Sequence, residues 1–119
     1  MKRSCIFSFN EGDSTLVVEL GGEIDHHSAV AVRTEIDSEI NSLAPKKTVL
    51  DLSEIDFMDS SGLGLIMGRY KLMQKLGGEL TVRNPSRRIV DIFELAGLGR
   101  IVKIEGKAQG SSKRKGNKR

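Results

Sequence analysis

The chain has 119 residues, 38% hydrophobic and 29% charged, with a formal net charge of +3. This length suits one domain with a buried core and is too short for two, and the composition is that of a soluble globular protein. No apolar run approaches the roughly 18 residues of a membrane-spanning helix, the first apolar stretch is too short for a signal peptide, and a single cysteine excludes an internal disulfide, so we expect a cytoplasmic protein without membrane contact.

The positive charge is concentrated at the C-terminus. Six of the 19 Lys and Arg residues lie in the last 13 positions, which hold no acid, so residues 1–106 carry 13 basic and 16 acidic residues. This tail, KAQGSSKRKGNKR, has no apolar side chain larger than Ala and cannot bury enough surface to fold. We expect a domain at 1–105 and a disordered basic tail at 106–119. No direct nucleic-acid binding is expected of the domain, although the tail could attract nucleic acid or an acidic protein.

The first half of the chain predicts a hairpin followed by a helix. Apolar patterning indicates strands at Cys5–Asn10 and 15–20, with a turn at 11–13 between them. The glycine pair at 21–22 is predicted to end the second strand. A helix is then expected from about Ser28 to Leu43, because apolar residues recur there every three or four positions: Ala29, Val32, Ile36, Ile40 and Leu43.

The second half alternates strands and helices. A short apolar run at 48–52 predicts a buried strand, and apolar residues at helical spacing predict a helix over 63–76. Gly77 offers a left-handed C-cap, after which a strand is expected at 79–83, a helix from Ser86 and a last strand at 101–104. This alternation predicts an α/β fold, with a mixed, mostly parallel sheet of four to five strands covered by helices.

The turn between the central strand and helix, DFMDSSG at 56–62, is the candidate functional site. Asp59, Ser60 or Ser61 could each cap the helix, and Gly62 would let backbone or ligand approach closely. A hydroxyl beside the donor-rich, partly positive end of a helix suits a phosphate, bound or covalently attached. An ordinary capped helix is the alternative. Carboxylates near this turn, of Asp25, Asp56 and Asp59, are predicted to form an acidic recognition surface.

Other chemistry fits the sequence poorly. A nucleophilic serine with His26 or His27 as its base would suit a strand-turn-helix setting, but D-S-S-G departs from the G-x-S-x-G pattern. The glycine spacing is one residue off the dinucleotide fingerprint, and an adjacent histidine pair with a distant cysteine lacks the spacing of a zinc site. We therefore expect no catalytic residue, no cofactor and no metal.

Three separated segments resemble one known family. They are GEIDHHSA at 22–29, FMDSSGLG followed by GRYK at 57–71, and GGEL at 77–80. In this order they are similar to the STAS-domain anti-sigma factor antagonists, over about residues 5–104. The histidine pair and GRYK are most similar to the sporulation type, which releases sigma F. The resemblance implies the STAS fold, although those proteins usually finish with a further helix that is absent from this sequence after Glu105.

The resemblance also implies a protein switch and not an enzyme. Its unphosphorylated form would bind an ATP- or ADP-bound anti-sigma factor with serine kinase activity, and so release the sigma factor. Phosphorylation of Ser60, the serine that maps onto the modified position, would end this binding, and a serine phosphatase would restore it. Ser61 is expected to cap the helix, and the partner-binding residues are expected to be Asp25, Asp59, Ser61 and Gly62. The alternative is a STAS domain that binds a nucleotide or other small ligand at the same helix end, or serves as a scaffold.

Overall fold

A computed structural model describes residues 5–106 and contains a five-stranded sheet with three α-helices. In chain order the elements are β1 (Cys5–Asn10), β2 (Thr15–Ile24), α1 (His26–Leu43), β3 (Lys47–Met58), α2 (Ser60–Lys75), β4 (Glu79–Arg83), α3 (Arg87–Ala96), a 3-10 turn (Leu98–Arg100) and β5 (Lys103–Glu105). The predicted tail, apart from Gly106, lies outside the described residues.

The sheet is mixed, with strands in the order β1-β2-β3-β4-β5. Strand β1 is antiparallel to β2, and the other neighbouring pairs are parallel. The predicted α/β fold with a mostly parallel sheet is therefore confirmed. Among the described residues, no helix combines the length and apolar character needed to cross a membrane.

Alternating side chains give the sheet one face toward the helical core. In β3 and β4, the paired Leu50 and Val82 are fully buried in this core, together with Ile36 of α1, Ile66 of α2 and Phe93 of α3. Successive strand residues point to opposite faces. The next pair along, Asp51 and Arg83, therefore faces away from the core, and its side chains form an ion pair with Nη2 to Oδ2 at 3.0 Å.

Strands β2 and β3 are both longer than predicted. The glycine pair at 21–22 does not end β2, which continues to Ile24 and pairs with β3 as far as Met58. Two register shifts, between Glu19 and Gly21 and between Gly22 and Glu23, accommodate the glycines as irregularities within the ladder. Gly22 has a φ of 85°, which other residues rarely adopt.

Helices α1 and α2 begin earlier than predicted, at His26 and not Ser28 and at Ser60 and not residue 63, because Asp25 and Asp59 cap them. At the other end of α2, the prediction for Gly77 is confirmed. Its φ is 80°, its N–H donates to Gln74 O at 3.0 Å, and the Gly78 N–H donates to Met73 O at 2.8 Å. These two bonds form a Schellman motif, which turns the chain sharply into β4.

The last strand is shorter and later than expected. The sequence predicted 101–104, but the 3-10 turn extends the connection after α3 and β5 covers only Lys103–Glu105. Val102 lies just after the 3-10 turn and just before β5. Its side chain is buried in the core. Of the apolar residues at 101–104, Ile104 pairs with Val82 in the sheet, Val102 is buried outside it, and Ile101 is exposed.

Candidate functional site

The candidate site lies where β2 and β3 end side by side. Their last paired residues are Ile24 and Met58, and each is followed by an aspartate that caps the next helix. The N–H of Asp59 donates to Ile24 O at 3.2 Å, which continues the contact between the two chain segments beyond the ladder. The parallel register therefore brings Asp25 and Asp59 to the same edge of the sheet, as the sequence predicted. Asp56 is exposed near the end of β3.

Asp25 holds the start of α1 through a reciprocal capping box. Its Oδ1 accepts the N–H groups of His27 at 2.9 Å and Ser28 at 3.0 Å, while the Ser28 hydroxyl oxygen accepts the Asp25 N–H at 3.0 Å. The Ser28 hydroxyl also donates to Glu23 O at 3.0 Å. The backbone hydrogen bond from Ser28 is the main reason why the pKa of Asp25 lies below its ordinary value, against a smaller opposing effect of desolvation. The site thus holds a carboxylate that stays ionised at neutral pH.

Asp59 caps α2, which corrects the expectation that Ser61 does so. The Asp59 Oδ1 accepts the Ser61 N–H at 2.8 Å, and the backbone of Asp59 is extended while Ser60 and Ser61 are already helical. An N-cap residue must be non-helical for its side chain to reach the following N–H groups, so the serines come one residue too late. Ser60 is exposed and Ser61 half-buried.

Gly62 is buried, and its lack of a side chain allows the first turn of α2 to pack closely against the end of β3. A β-carbon at this position would overlap Cγ of Met58 and lie 2.8 Å from its sulfur. The Gly62 N–H donates to Asp59 O at 2.9 Å in the first turn. Gly62 therefore allows the first turn of α2 to sit directly on the end of the strand, and its side of the helix is not open to a partner.

The serines and histidines do not form a catalytic arrangement in the described part of the chain. Neither Ser60 nor Ser61 has its hydroxyl hydrogen-bonded to His26 or His27, whose rings contact each other edge to face at 5.8 Å between centroids. Within residues 5–106 no group of three or more metal-binding side chains comes together.

Sequence reasoning missed three residues beside the site. Ser28 was assigned to the helix start, although its spacing of three from Asp25 is the signal of a capping box. Arg69 is buried between the helices, with Nε 2.7 Å from Asp37 Oδ1 and an Nη1 hydrogen bond to Leu65 O at 3.2 Å. The Nε–H direction is too bent for a hydrogen bond, so the contact with Asp37 is an ion pair. Nothing in the sequence pattern marks this pair before α1 and α2 are known to be neighbours.

The STAS domain family model matches residues 7–109 of the chain. The chain is 42% identical over 89 residues to the anti-sigma F factor antagonist of Paenibacillus polymyxa, covering 75% of this chain and 76% of that protein. It is 35% identical over 101 residues to the anti-sigma-B factor antagonist of Bacillus subtilis (strain 168), covering 85% and 89% respectively. Both proteins are named as antagonists of an anti-sigma factor, for two different sigma factors.

Solved structures show the same fold. The anti-sigma factor antagonist SpoIIAA in its unphosphorylated form superposes with a TM-score of 0.73 at 29% identity, covering 87% of this chain and 89% of that one. The Bacillus cell fate determinant SpoIIAA in its phosphorylated form gives a TM-score of 0.66 at 29% identity, with 87% and 92% coverage. A protein similar to this chain thus exists in both phosphorylation states.

Proposed function

The chain belongs to the STAS family of anti-sigma factor antagonists, and we propose that phosphorylation of Ser60 controls its binding to an anti-sigma factor. The unphosphorylated form binds an anti-sigma factor that carries ATP or ADP and has serine kinase activity, and this binding releases the sigma factor. The kinase modifies Ser60, and a serine phosphatase removes the phosphate. Similarity to antagonists for sigma F and sigma B supports the partner class, and similarity to a protein known in phosphorylated and unphosphorylated forms supports the modification.

The position of Ser60 is the observation that carries this proposal. It is the first residue of α2, it is exposed, and its hydroxyl makes no hydrogen bond to any described residue. A kinase can therefore reach the hydroxyl without unfolding the helix. Ser61 is half-buried, which makes it the poorer substrate of the two.

A phosphate on Ser60 is compatible with the fold. It adds a charge of about −1.5 to −2 at pH 7, and the amino end of a helix favours negative charge. Asp59 already occupies one N–H of this helix end, that of Ser61, so the phosphate would extend outward from an intact cap. Loss of partner binding then comes from obstruction at the interface, and not from rearrangement of the domain.

The partner-binding surface in this proposal is the shared edge of the two helix starts. Asp25 and Asp59 supply carboxylates that can meet basic groups of the anti-sigma factor, and Ser61 adds a half-buried polar group. Gly62 contributes indirectly, since it is buried against Met58 and sets the height of α2 above the strand. The proposed setting is the cytoplasm of a sporulating cell, by similarity to the sigma F antagonist.

Mapping the modified residue tests the proposal directly. The protein is incubated with the anti-sigma factor from the same genome and ATP, digested, and examined by mass spectrometry. We expect phosphate on Ser60 alone, and we expect Ser60→Ala to remain unmodified while Ser61→Ala is modified as the parent is. Modification confined to Ser61 would show that the assigned acceptor is wrong, and absence of both binding and modification would contradict the proposed function.

A further inference from the structure

An open groove runs between α1 and α2, beginning beside the proposed phosphorylation site. Its volume is about 380 Å³, and Ser61 and His26 line the end nearest the two helix starts. Ala29, Leu65 and the half-exposed Val30 form apolar walls. The groove is therefore continuous with the proposed partner surface and offers both apolar and polar contacts.

The charge of this groove is opposite to that of the neighbouring acidic edge. Arg33 and Arg69 line it, and no acidic side chain of the described residues does. Arg69 is neutralised by Asp37, whereas Arg33 is exposed and forms no ion pair within residues 5–106. Burial lowers the pKa of Arg69, whereas the charge of Asp37 raises it. The positive charge of Arg33 lowers this pKa further, which shows that the two guanidinium groups are close enough to repel each other. The excess positive charge here has no partner in the described domain.

The two glycines in the groove have no explanation in the packing of the domain itself. A β-carbon at Gly64 or Gly68 would meet nothing within 4 Å, in contrast to Gly62, where it would overlap Met58. Glycine weakens a helix relative to alanine. Two such residues one turn apart, where alanine would fit, leave room for close approach by something outside this domain.

We propose that the groove between α1 and α2 takes a side chain bearing a carboxylate, Asp or Glu, from the anti-sigma factor, with its carboxylate at Arg33 and the partner's backbone close to Gly64 and Gly68. This inference rests on the proposed function and adds a second contact to it. The partner surface then has an acidic part at Asp25 and Asp59 and a basic part at Arg33. Such a pattern of opposite charges fixes the orientation of the docked partner.

Charge reversal at Arg33 tests the contact. The full-length protein and Arg33→Glu are titrated calorimetrically with the anti-sigma factor, and the variant is expected to bind at least tenfold more weakly, with the difference shrinking in high salt. Arg33→Lys is expected to keep most of the affinity. Because Arg33 is exposed and repelled by Arg69, the reversal should leave the melting temperature unchanged or higher.

The matched control is Arg88→Glu, an equal change of charge at an exposed residue of α3 outside the groove. It is expected to bind within twofold of the parent. Gly64→Leu, which fills the groove from a position with free space, should weaken binding without unfolding. If the parent binds and Arg33→Glu binds equally well, or if Arg88→Glu loses as much affinity, the groove contact is wrong while the proposed function stands. If the parent itself does not bind, the proposed function fails first.

Discussion

At the scale of single residues, the side chain that caps a helix at this site differs from the side chain proposed to be phosphorylated. Asp25 and Asp59 bind backbone N–H groups with one carboxylate oxygen each, and Ser60 leaves its hydroxyl free at the surface. The group that holds the helix is therefore not the group proposed to be modified. This separation lets a phosphate be added or removed without loss of the cap.

Ser60→Asp is expected to weaken binding to the ADP-bound anti-sigma factor at least tenfold, which is about 1.4 kcal/mol. The added carboxylate imitates part of the phosphate charge at an exposed position, so the far-ultraviolet circular dichroism should not change. Ser60→Ala should bind as the parent does and resist inactivation by ATP. Calorimetric titration separates these outcomes, and equal binding by Ser60→Asp would exclude obstruction at the interface as the mechanism.

Asp25 has two roles that one substitution can separate. Asp25→Ala removes the helix cap and the charge together, whereas Asp25→Asn keeps an oxygen that can accept from the His27 and Ser28 N–H groups. We expect both variants to bind the anti-sigma factor more weakly, but only Asp25→Ala to melt at a lower temperature. Unchanged affinity of Asp25→Asn in the same titration would mean that this residue acts through the cap alone.

At the scale of secondary structure, α2 determines the site because its two faces are packed differently. The Gly62 side of its first turn lies directly on Met58, and the side with Gly64 and Gly68 is open toward α1. The buried ion pair between Arg69 and Asp37 joins the two helices below this opening. The groove is thus a gap held between two fixed helices.

Matched alanine substitutions should report these two environments with opposite signs. Gly62→Ala forces Met58 to move and should destabilise the domain by about 1–3 kcal/mol, the usual cost of overpacking. Gly64→Ala meets no neighbour and should stabilise it by about 0.5–1 kcal/mol through helix propensity. Urea unfolding of both variants checks this, and similar changes for the two would mean that Met58 yields without cost.

Stability at low pH should depend on the ion pair between Asp51 of β3 and Arg83 of β4. Burial alone would raise the pKa of Asp51, but hydrogen bonds from Ser53 and the contact with Arg83 outweigh it and hold the pKa below the ordinary value. A lowered folded-state pKa stabilises the domain above the unfolded value of about 3.9, and this contribution disappears as pH falls through the folded value.

Urea unfolding between pH 5 and pH 2 should therefore show a smaller loss of stability for Asp51→Asn than for the parent. Asp56→Asn is the control, because Asp56 is exposed on the same strand and has no ion pair within residues 5–106. If the pH dependence is the same in Asp51→Asn and the parent, the Asp51 carboxyl does not contribute in the way that its contacts indicate.

At the scale of the whole molecule, one core underlies the site. The helices contribute to the same cluster of buried side chains as the sheet, so the spacing of α1 and α2 depends on contacts along their full length. The sequence beyond Gly106 contains no apolar side chain larger than Ala. The division into a domain at 1–105 and a disordered basic tail at 106–119 stays a prediction from composition.

Truncation after Glu105, which deletes residues 106–119, should change the melting temperature by only a degree or two, equivalent to a few tenths of a kcal/mol for a domain of this size. The truncated chain should also bind the anti-sigma factor as the parent does at physiological salt. Differential scanning calorimetry and titration test the two statements, and a fall of about 10 °C would show that the tail contributes packing.

The sequence by itself determined the order and type of the main elements and indicated where the candidate site lies. Helical spacing in α1 and α2, the glycine that ends α2 and the DSSG turn each depend on residues close together in the chain, and local preferences decide them. The carboxylates of Asp25, Asp56 and Asp59 were predicted to form one surface, and the structure brings Asp25 and Asp59 together because β2 and β3 are parallel and end side by side.

Only the tertiary structure decided where strands end, which residue caps α2 and what lies between the helices. The glycines at 21–22 predicted the end of β2. In the structure β2 continues to Ile24, because hydrogen bonding with β3 outweighs the low strand propensity of glycine. The pair of Arg69 with Asp37 joins residues 32 positions apart, and the groove beside Gly64 forms because α1 lies next to α2. Contacts between distant parts of a chain have no local signal, so the groove could be found only in the folded molecule.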